Sequence, residues 1–172
     1  MRPPVVVFAV GNPSRGDDAL GPLLLARLDA WLQASGRAGE VELIEDFQLN
    51  IEHALDLEGR ALALFIDAGA GTPAPYTFSR LEPAVDLGSS SHALEPGAVL
   101  RVFEQTCRGP APQCFVLCVR GEEFELGQDL SPVAARYADT AWDFLRTALG
   151  RPGDEALAVL TARLAMACGT PA

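Results

Sequence analysis

The sequence predicts an α/β protein in three layers: a mostly parallel, twisted sheet with helices on both faces. Three observations carry this reading. The apolar runs "VVVFAV" and "ALALFI" are continuous rather than alternating, as strands buried on both faces are. The stretches between such runs place apolar residues at helical spacing. Strand and helix patterns also alternate along the chain, as parallel strands joined by helical crossovers require. A chain of 172 residues, 49% hydrophobic and 21% charged, can bury one substantial core. With no internal repeat or linker, it is read as a single domain over 1–172.

The elements follow in order. Residues 4–10 form a first buried strand. A helix begins at Leu20 and runs on Leu24, Leu28 and Trp31 or Leu32; Pro22 fits only its first turn, and Gly36 stops it. "EVELIED", 40–46, is a second strand. "NIEHALDLEG" reads as a short helix with Asn50 as N-cap and Gly59 as stop. His53, in its middle, is taken as exposed or as a residue that supports the site from behind. "ALALFIDAG", 61–69, is a third strand that ends on an acid and two small residues.

The segment 70–91 is rich in Gly, Pro and Ser, and "YTFSRLE" within it suits an edge strand. A helix starting near residue 95 reaches Cys107. "QCFVLCVRG" is the next strand, with Cys114 and Cys118 on one face. The following helix is signposted by Ser131 as N-cap, Pro132 at its first position and Gly150 beyond its end. Val133, Tyr137, Ala141, Phe144 and Ala148 trace its expected buried side. A last helix, at about 154–168, carries Leu157, Leu160 and Leu164 on one stripe, free to pack on the core or on a partner.

Composition excludes several functions. A net charge of −10 argues against nucleic acid or an anionic membrane surface as partner, since both need a basic footprint. All 13 basic residues are arginine, which rules out a P-loop lysine, a Schiff-base lysine and a Ser–Lys dyad. The N-terminus lacks the pattern of a signal peptide, and no apolar run is long enough to span a bilayer. Four cysteines without CxxC spacing are expected to be reduced thiols of a cytoplasmic protein.

Ligands of open α/β sheets gather at the carboxyl ends of the strands. Asp17 and Asp18 follow the first strand, Asp67 closes the third, and His92 sits beyond the serine run "SSSH". Two carboxylates and an imidazole suit a divalent cation such as nickel, zinc or iron. Carboxylates also suit acid–base work on a peptide bond. Each residue has a plainer use as well. Asp17 or Asp18 can cap the helix, Asp67 can brace a turn, and His92 can be a surface or capping residue. The glycines Gly11, Gly16 and Gly21 invite comparison with dinucleotide-binding loops, but their spacing is not GxGxxG. Two acids at the helix mouth would also repel a pyrophosphate.

"AVGNPSRGDDALGP", then "DAG" after the third strand, then "SSSHALEPG", in that order, resemble the hydrogenase maturation endopeptidases. The resemblance runs from residue 5 to about 149. It implies an aspartic-type peptidase that removes the C-terminal extension of a nickel–iron hydrogenase large-subunit precursor once nickel is in place. The stretch "EDFQLNIEHALDLEGRALALFIDA" is similar to the branch that serves soluble, cytoplasmic, NAD-reducing hydrogenases. Carried over by position, the metal-contacting residues fall on Asp18, Asp67 and His92, with Asp18 and Asp67 also catalytic. Gly11, Asn12 and Asp17 belong to the substrate-facing loop. Asp18 stands where several relatives have glutamate, and Ala9 replaces the usual glycine. No permanently bound cofactor is implied, because the nickel arrives with the substrate. The alternatives are a zinc metallo-hydrolase and a non-catalytic assembly factor for the same precursor.

Overall fold

The computed structural model describes residues 1–85, 94–151 and 153–168, the last three of these by backbone alone. Among the described residues the sheet has five strands: β1 (Val5–Val10), β2 (Val41–Asp46), β3 (Leu62–Ala70), β4 (Tyr76–Arg80) and β5 (Gln113–Gly121). Their order is β2-β1-β3-β5-β4. Four run parallel, and β4 closes one edge antiparallel to β5. The edge strand expected from "YTFSRLE" is therefore present.

Among the described residues five helices cover both faces: α1 (Leu20–Ala34), α2 (His53–Asp56), α3 (Pro96–Thr106), α4 (Pro132–Leu149) and α5 (Gly153–Cys168). Side-chain parity sorts the core into two layers. Val5, Val7 and Ala9 of β1, with Leu62, Leu64 and Ile66 of β3, pack beneath α1, α4 and α5. Val6, Phe8, Ala63 and Phe65 turn to the other face, beneath α2 and α3. Phe8 and Phe65 stack there with ring centroids 4.7 Å apart. Each fully buried Leu, Val or Phe contributes roughly 1.5–3 kcal/mol, so these rows fix the strand register.

Three expectations need correction. The helix read over 50–59 shrinks to the four residues His53–Asp56. The side chain of Asn50 instead accepts from the backbone N–H of Glu52 at 3.1 Å, closing a local turn. His53 is not exposed: it is 6% accessible, its Nδ1 accepts from the Asn50 N–H at 2.9 Å, and its ring meets Phe8 edge-on. On α4 the buried line is Ala134, Ala138, Ala141, Leu145, Ala148 and Leu149. Its small residues bring the helix close to the sheet. Tyr137 and Phe144 are displaced to its flank, where Phe144 meets Tyr76 and Phe78 of the β4 edge. The last helix packs on the core through Ala156 and Leu160.

Candidate active site

The chain leaves β1, runs through α1 to β2 on one side, and returns to β3 on the other side of β1. The carboxyl ends of β1 and β3 therefore flank the point where the strand order reverses, the usual ligand crevice of an open sheet. Asp18 and Asp67 stand there.

The turn from β1 to α1 is built on its backbone. Gly11 has φ +147°, and a Cβ on it would lie 2.0 Å from the carbonyl oxygen of Asp18. Only glycine lets the chain fold back this tightly. Asp18 then reaches across the turn, its Oδ2 accepting from the Asn12 N–H at 2.7 Å. The Asn12 side chain stays within the loop, its Oδ1 accepting from Ser14 N–H at 2.9 Å. A 3₁₀ turn over Gly16–Ala19 leads into α1. There Gly21 lets the helix press on the sheet rim: a Cβ would sit 2.6 Å from the carbonyl oxygen of Val10 and 3.1 Å from that of Ile66.

Asp17 has a different task. It is wholly buried. Its Oδ2 accepts from the N–H groups of Glu122 and Glu123 at 2.7 and 3.0 Å and from the Ser131 hydroxyl at 2.9 Å. Its Oδ1 accepts from the Ser131 N–H at 2.7 Å. Burial raises its carboxyl, but those donors outweigh burial and hold it below the usual carboxylate range. Both oxygens are committed to the loop between β5 and α4, so Asp17 offers nothing to a substrate. The sequence reading put Asp17 on the substrate-facing loop; it lies instead in the 3₁₀ turn, with its side chain facing inward.

Asp67 ends the buried run of β3, on the α2–α3 face. Its Oδ1 accepts from its neighbour's N–H, Ala68, at 2.8 Å. Burial raises its carboxyl to about 6, offset in part by that hydrogen bond and reinforced by the negative charge of Asp18. The two acids thus feel one another across the rim. Asp18 is near enough for its charge to raise the Asp67 carboxyl, and Gly11 and Asn12 hold Asp18 in its turn. His92 lies outside the described residues. Among the described residues no three His, Cys, Asp or Glu side chains are grouped so as to hold a metal ion.

Sequence reasoning missed two neighbours. Cys118 is the register partner of Asp67 on β5, and its Sγ lies 3.3 Å from Thr72 Oγ1. Burial raises this thiol, as does the charge of Asp67 more weakly, while the Thr72 contact opposes them. Asp46, at the end of β2, pairs in register with Val10 and approaches His53 Nε2 at 3.5 Å. Both lie at the level of Asp67 in the sheet. Aligning the last residues of the predicted strands would have pointed to them.

No protein-family model matches the chain, and no curated protein matches it significantly. Several solved structures share its fold. The hydrogenase maturating endopeptidase HybD from E. coli superposes with a TM-score of 0.65 at 21% identity, covering 87% of this chain and 92% of that one. The [NiFe] hydrogenase maturation protease HycI from Thermococcus kodakarensis KOD1 gives 0.64 at 21% identity, over 86% and 92%. The hydrogenase 2 maturation peptidase from a Thaumarchaeota archaeon gives 0.59 at 22% identity, over 87% and 99%. At these identities the likeness is one of fold.

Proposed function

We propose that this protein is an endopeptidase of nickel–iron hydrogenase maturation, which removes the C-terminal extension of a large-subunit precursor after nickel insertion. One observation carries the reading. Two acids from distant parts of the chain, Asp18 and Asp67, stand at the strand-order reversal, and Asp67 is raised to about 6 by burial with the charge of Asp18 contributing. That arrangement supplies a base poised near neutral pH, which an ordinary aspartate is not. Fold likeness to maturation proteases supports it. So does the ordered motif of the turn, the strand-end aspartate and the serine-flanked histidine.

In this reading Asp18, Asp67 and His92 grip the nickel that the precursor's own cysteines already hold. Two carboxylates and one imidazole make a weak site alone and a complete one with the client's thiolates. An empty precursor gives the three side chains nothing to hold, so cleavage waits for nickel. Water then adds to the scissile carbonyl carbon while a carboxylate takes its proton. That proton passes to the leaving amine as the C–N bond breaks. Asp17 is unsuited to this task, because four donors encase it. Asp67 fits best, for its Oδ1 alone is engaged among the described residues. The client we assign is the large subunit of a soluble, NAD-reducing enzyme, processed in the cytoplasm. Nucleic acid and membrane have no part, in keeping with a net charge of −10. Among the described residues no helix is long and apolar enough to cross a membrane.

The test is the mass of a nickel-loaded precursor incubated with the pure protein. Wild type shortens it and leaves the nickel-free precursor intact. Asp18→Asn, Asp67→Asn and His92→Ala each slow cleavage by about 100-fold or more. If all three process at the wild-type rate, the site is elsewhere.

A further inference from the structure

A groove of about 620 Å³ lies away from the acids, along the sheet edge opposite β4, between β2 and α1. Leu25, Leu32, Val41 and Leu43 supply its apolar lining, with Asp29, Glu42 and Glu45 among its polar residues. Among the described residues no arginine lines it.

Among the described residues β2 is an edge strand, paired only with β1. The Asp46 carbonyl accepts from the Gly11 N–H at 3.2 Å, so residue 46 turns its backbone groups toward β1. Alternation in a parallel ladder then turns residues 42 and 44 the same way and leaves the N–H and C=O groups of Val41, Leu43 and Glu45 pointing outward. These three residues line the groove. The strand has no proline, lysine or bulge to blunt its edge, only acids. Those acids would meet their own kind if a second copy, with its net charge of −10, paired here. A basic strand would meet opposite charge. Glu42 is already engaged by Arg60, which leaves Asp29 and Glu45 as the acids available to a visitor.

We propose that the outer edge of β2 is a strand-addition site for an extended, arginine- or lysine-bearing segment of the protein this enzyme processes. Backbone pairing to Val41, Leu43 and Glu45 supplies affinity, and Asp29 and Glu45 select basic side chains. β2 ends at Asp46, whose carbonyl holds the Gly11 turn, so the added strand is delivered to the rim that carries Asp18 and Asp67. Three strand spacings separate the added strand from β3, about 14 Å, which about five residues of client chain cross. The identity of the client rests on the endopeptidase reading; the basic-strand site does not.

The probe is a fluorescent nonapeptide of alternating valine and arginine, titrated into the full-length protein by anisotropy, with amide shifts recorded. Saturable binding is expected, with the largest shifts at Val41, Leu43 and Glu45. The same peptide N-methylated on alternate residues keeps its charge but cannot pair, and binds at least tenfold more weakly. Asp29→Arg/Glu45→Arg binds the arginine peptide at least tenfold more weakly, whereas the remote Asp143→Arg leaves it unchanged. Leu43→Pro, which removes one outward N–H, weakens binding without altering the far-UV spectrum. Should that variant misfold, the N-methylated peptide decides alone. Equal affinity for plain and N-methylated peptides, or for wild type and the double charge reversal, overturns the proposal. Asp67→Asn is expected to bind the peptide as wild type does. Should wild type leave the nickel-loaded precursor uncut while the peptide still binds, the endopeptidase reading falls and the peptide result stands on its own.

Discussion

Asp17 and Ser131 hold each other across 114 residues of chain: one carboxylate oxygen accepts the Ser131 N–H at 2.7 Å and the other accepts its hydroxyl at 2.9 Å. Ser131 Oγ in turn accepts from the Ala134 N–H at 3.2 Å, so the cap of α4 is itself fastened to the β1–α1 turn. The turn carrying Asp18 is thereby fixed to the opposite half of the fold.

Asp17→Asn tests that fastening. An asparagine keeps one acceptor oxygen and puts two donors where donors already converge, so buried N–H groups lose their partner. The expected loss is about 3 kcal/mol, read from urea unfolding at neutral pH. Its pH dependence has a definite sign. The carboxyl is held below its ordinary 3.8, so its stabilisation is present above that pH and is lost as pH falls through the folded value. The gap between wild type and Asp17→Asn therefore narrows as the solution is taken below about pH 4. A gap that widens there contradicts the hydrogen-bonded carboxylate.

Asp67 titrates the other way. Its carboxyl stands near 6, against 3.8 in the unfolded chain, so the folded protein holds an extra proton between those values. Stability is then greatest at the acid side of that window and falls as pH rises through 6. Asp67→Asn removes the buried charge and keeps an oxygen for the Ala68 N–H. It is expected to gain up to roughly 3 kcal/mol over wild type at pH 8, several degrees in Tm, while abolishing processing. The gain disappears near pH 4. A variant no more stable than wild type at pH 8 would show that Asp67 carries no desolvation penalty.

Gly21→Ala probes the rim itself. Alanine improves helix propensity by up to about 1 kcal/mol. Its Cβ, however, would meet the Val10 carbonyl oxygen at 2.6 Å and the Ile66 carbonyl oxygen at 3.1 Å, both backbone. Overpacking of this kind costs about 1–3 kcal/mol, so the net expectation is destabilisation by about 1–2 kcal/mol. Because α1 must back away from β1 and β3, Asp18 moves relative to Asp67, and processing falls further than stability does. Equal or raised stability would mean the helix start yields freely.

Much of this was legible in the sequence where local pattern and burial agree. The uninterrupted apolar runs of β1 and β3 announced strands buried on both faces, and Asp67 stood at the end of one. The Ser131–Pro132 signal placed the start of α4. What sequence could not carry was the partner of Asp17, because its four donors lie in a loop that begins more than a hundred residues later. Residues 50–59 misled for a related reason: Ile51 and Leu55 mimic a helical apolar stripe, yet they are 57% and 55% exposed. The face of α4 shifted because close approach to the sheet selects alanines, whereas hydrophobicity alone favours Tyr137 and Phe144.

His53 is the last such case, and it yields a discriminating prediction. Its Nδ1 accepts the Asn50 N–H, so the neutral ring carries its proton on Nε2, the atom 3.5 Å from Asp46 Oδ2. The ring thus ties the start of α2 to the end of β2 while packing edge-on against Phe8 at 5.7 Å between centroids. His53→Ala strips the Asn50 N–H of its acceptor and opens a void beside Phe8, and is expected to cost about 2–3 kcal/mol. The Asp18–Asp67 pair has no direct bond to His53, so precursor processing per folded molecule should stay within about threefold of wild type. His92→Ala should show the reverse, near-normal unfolding with processing lost. Urea unfolding and precursor mass, measured on both variants side by side, read the two effects separately. A His53→Ala protein that is fully stable but inert would place that imidazole, rather than His92, in the chemistry.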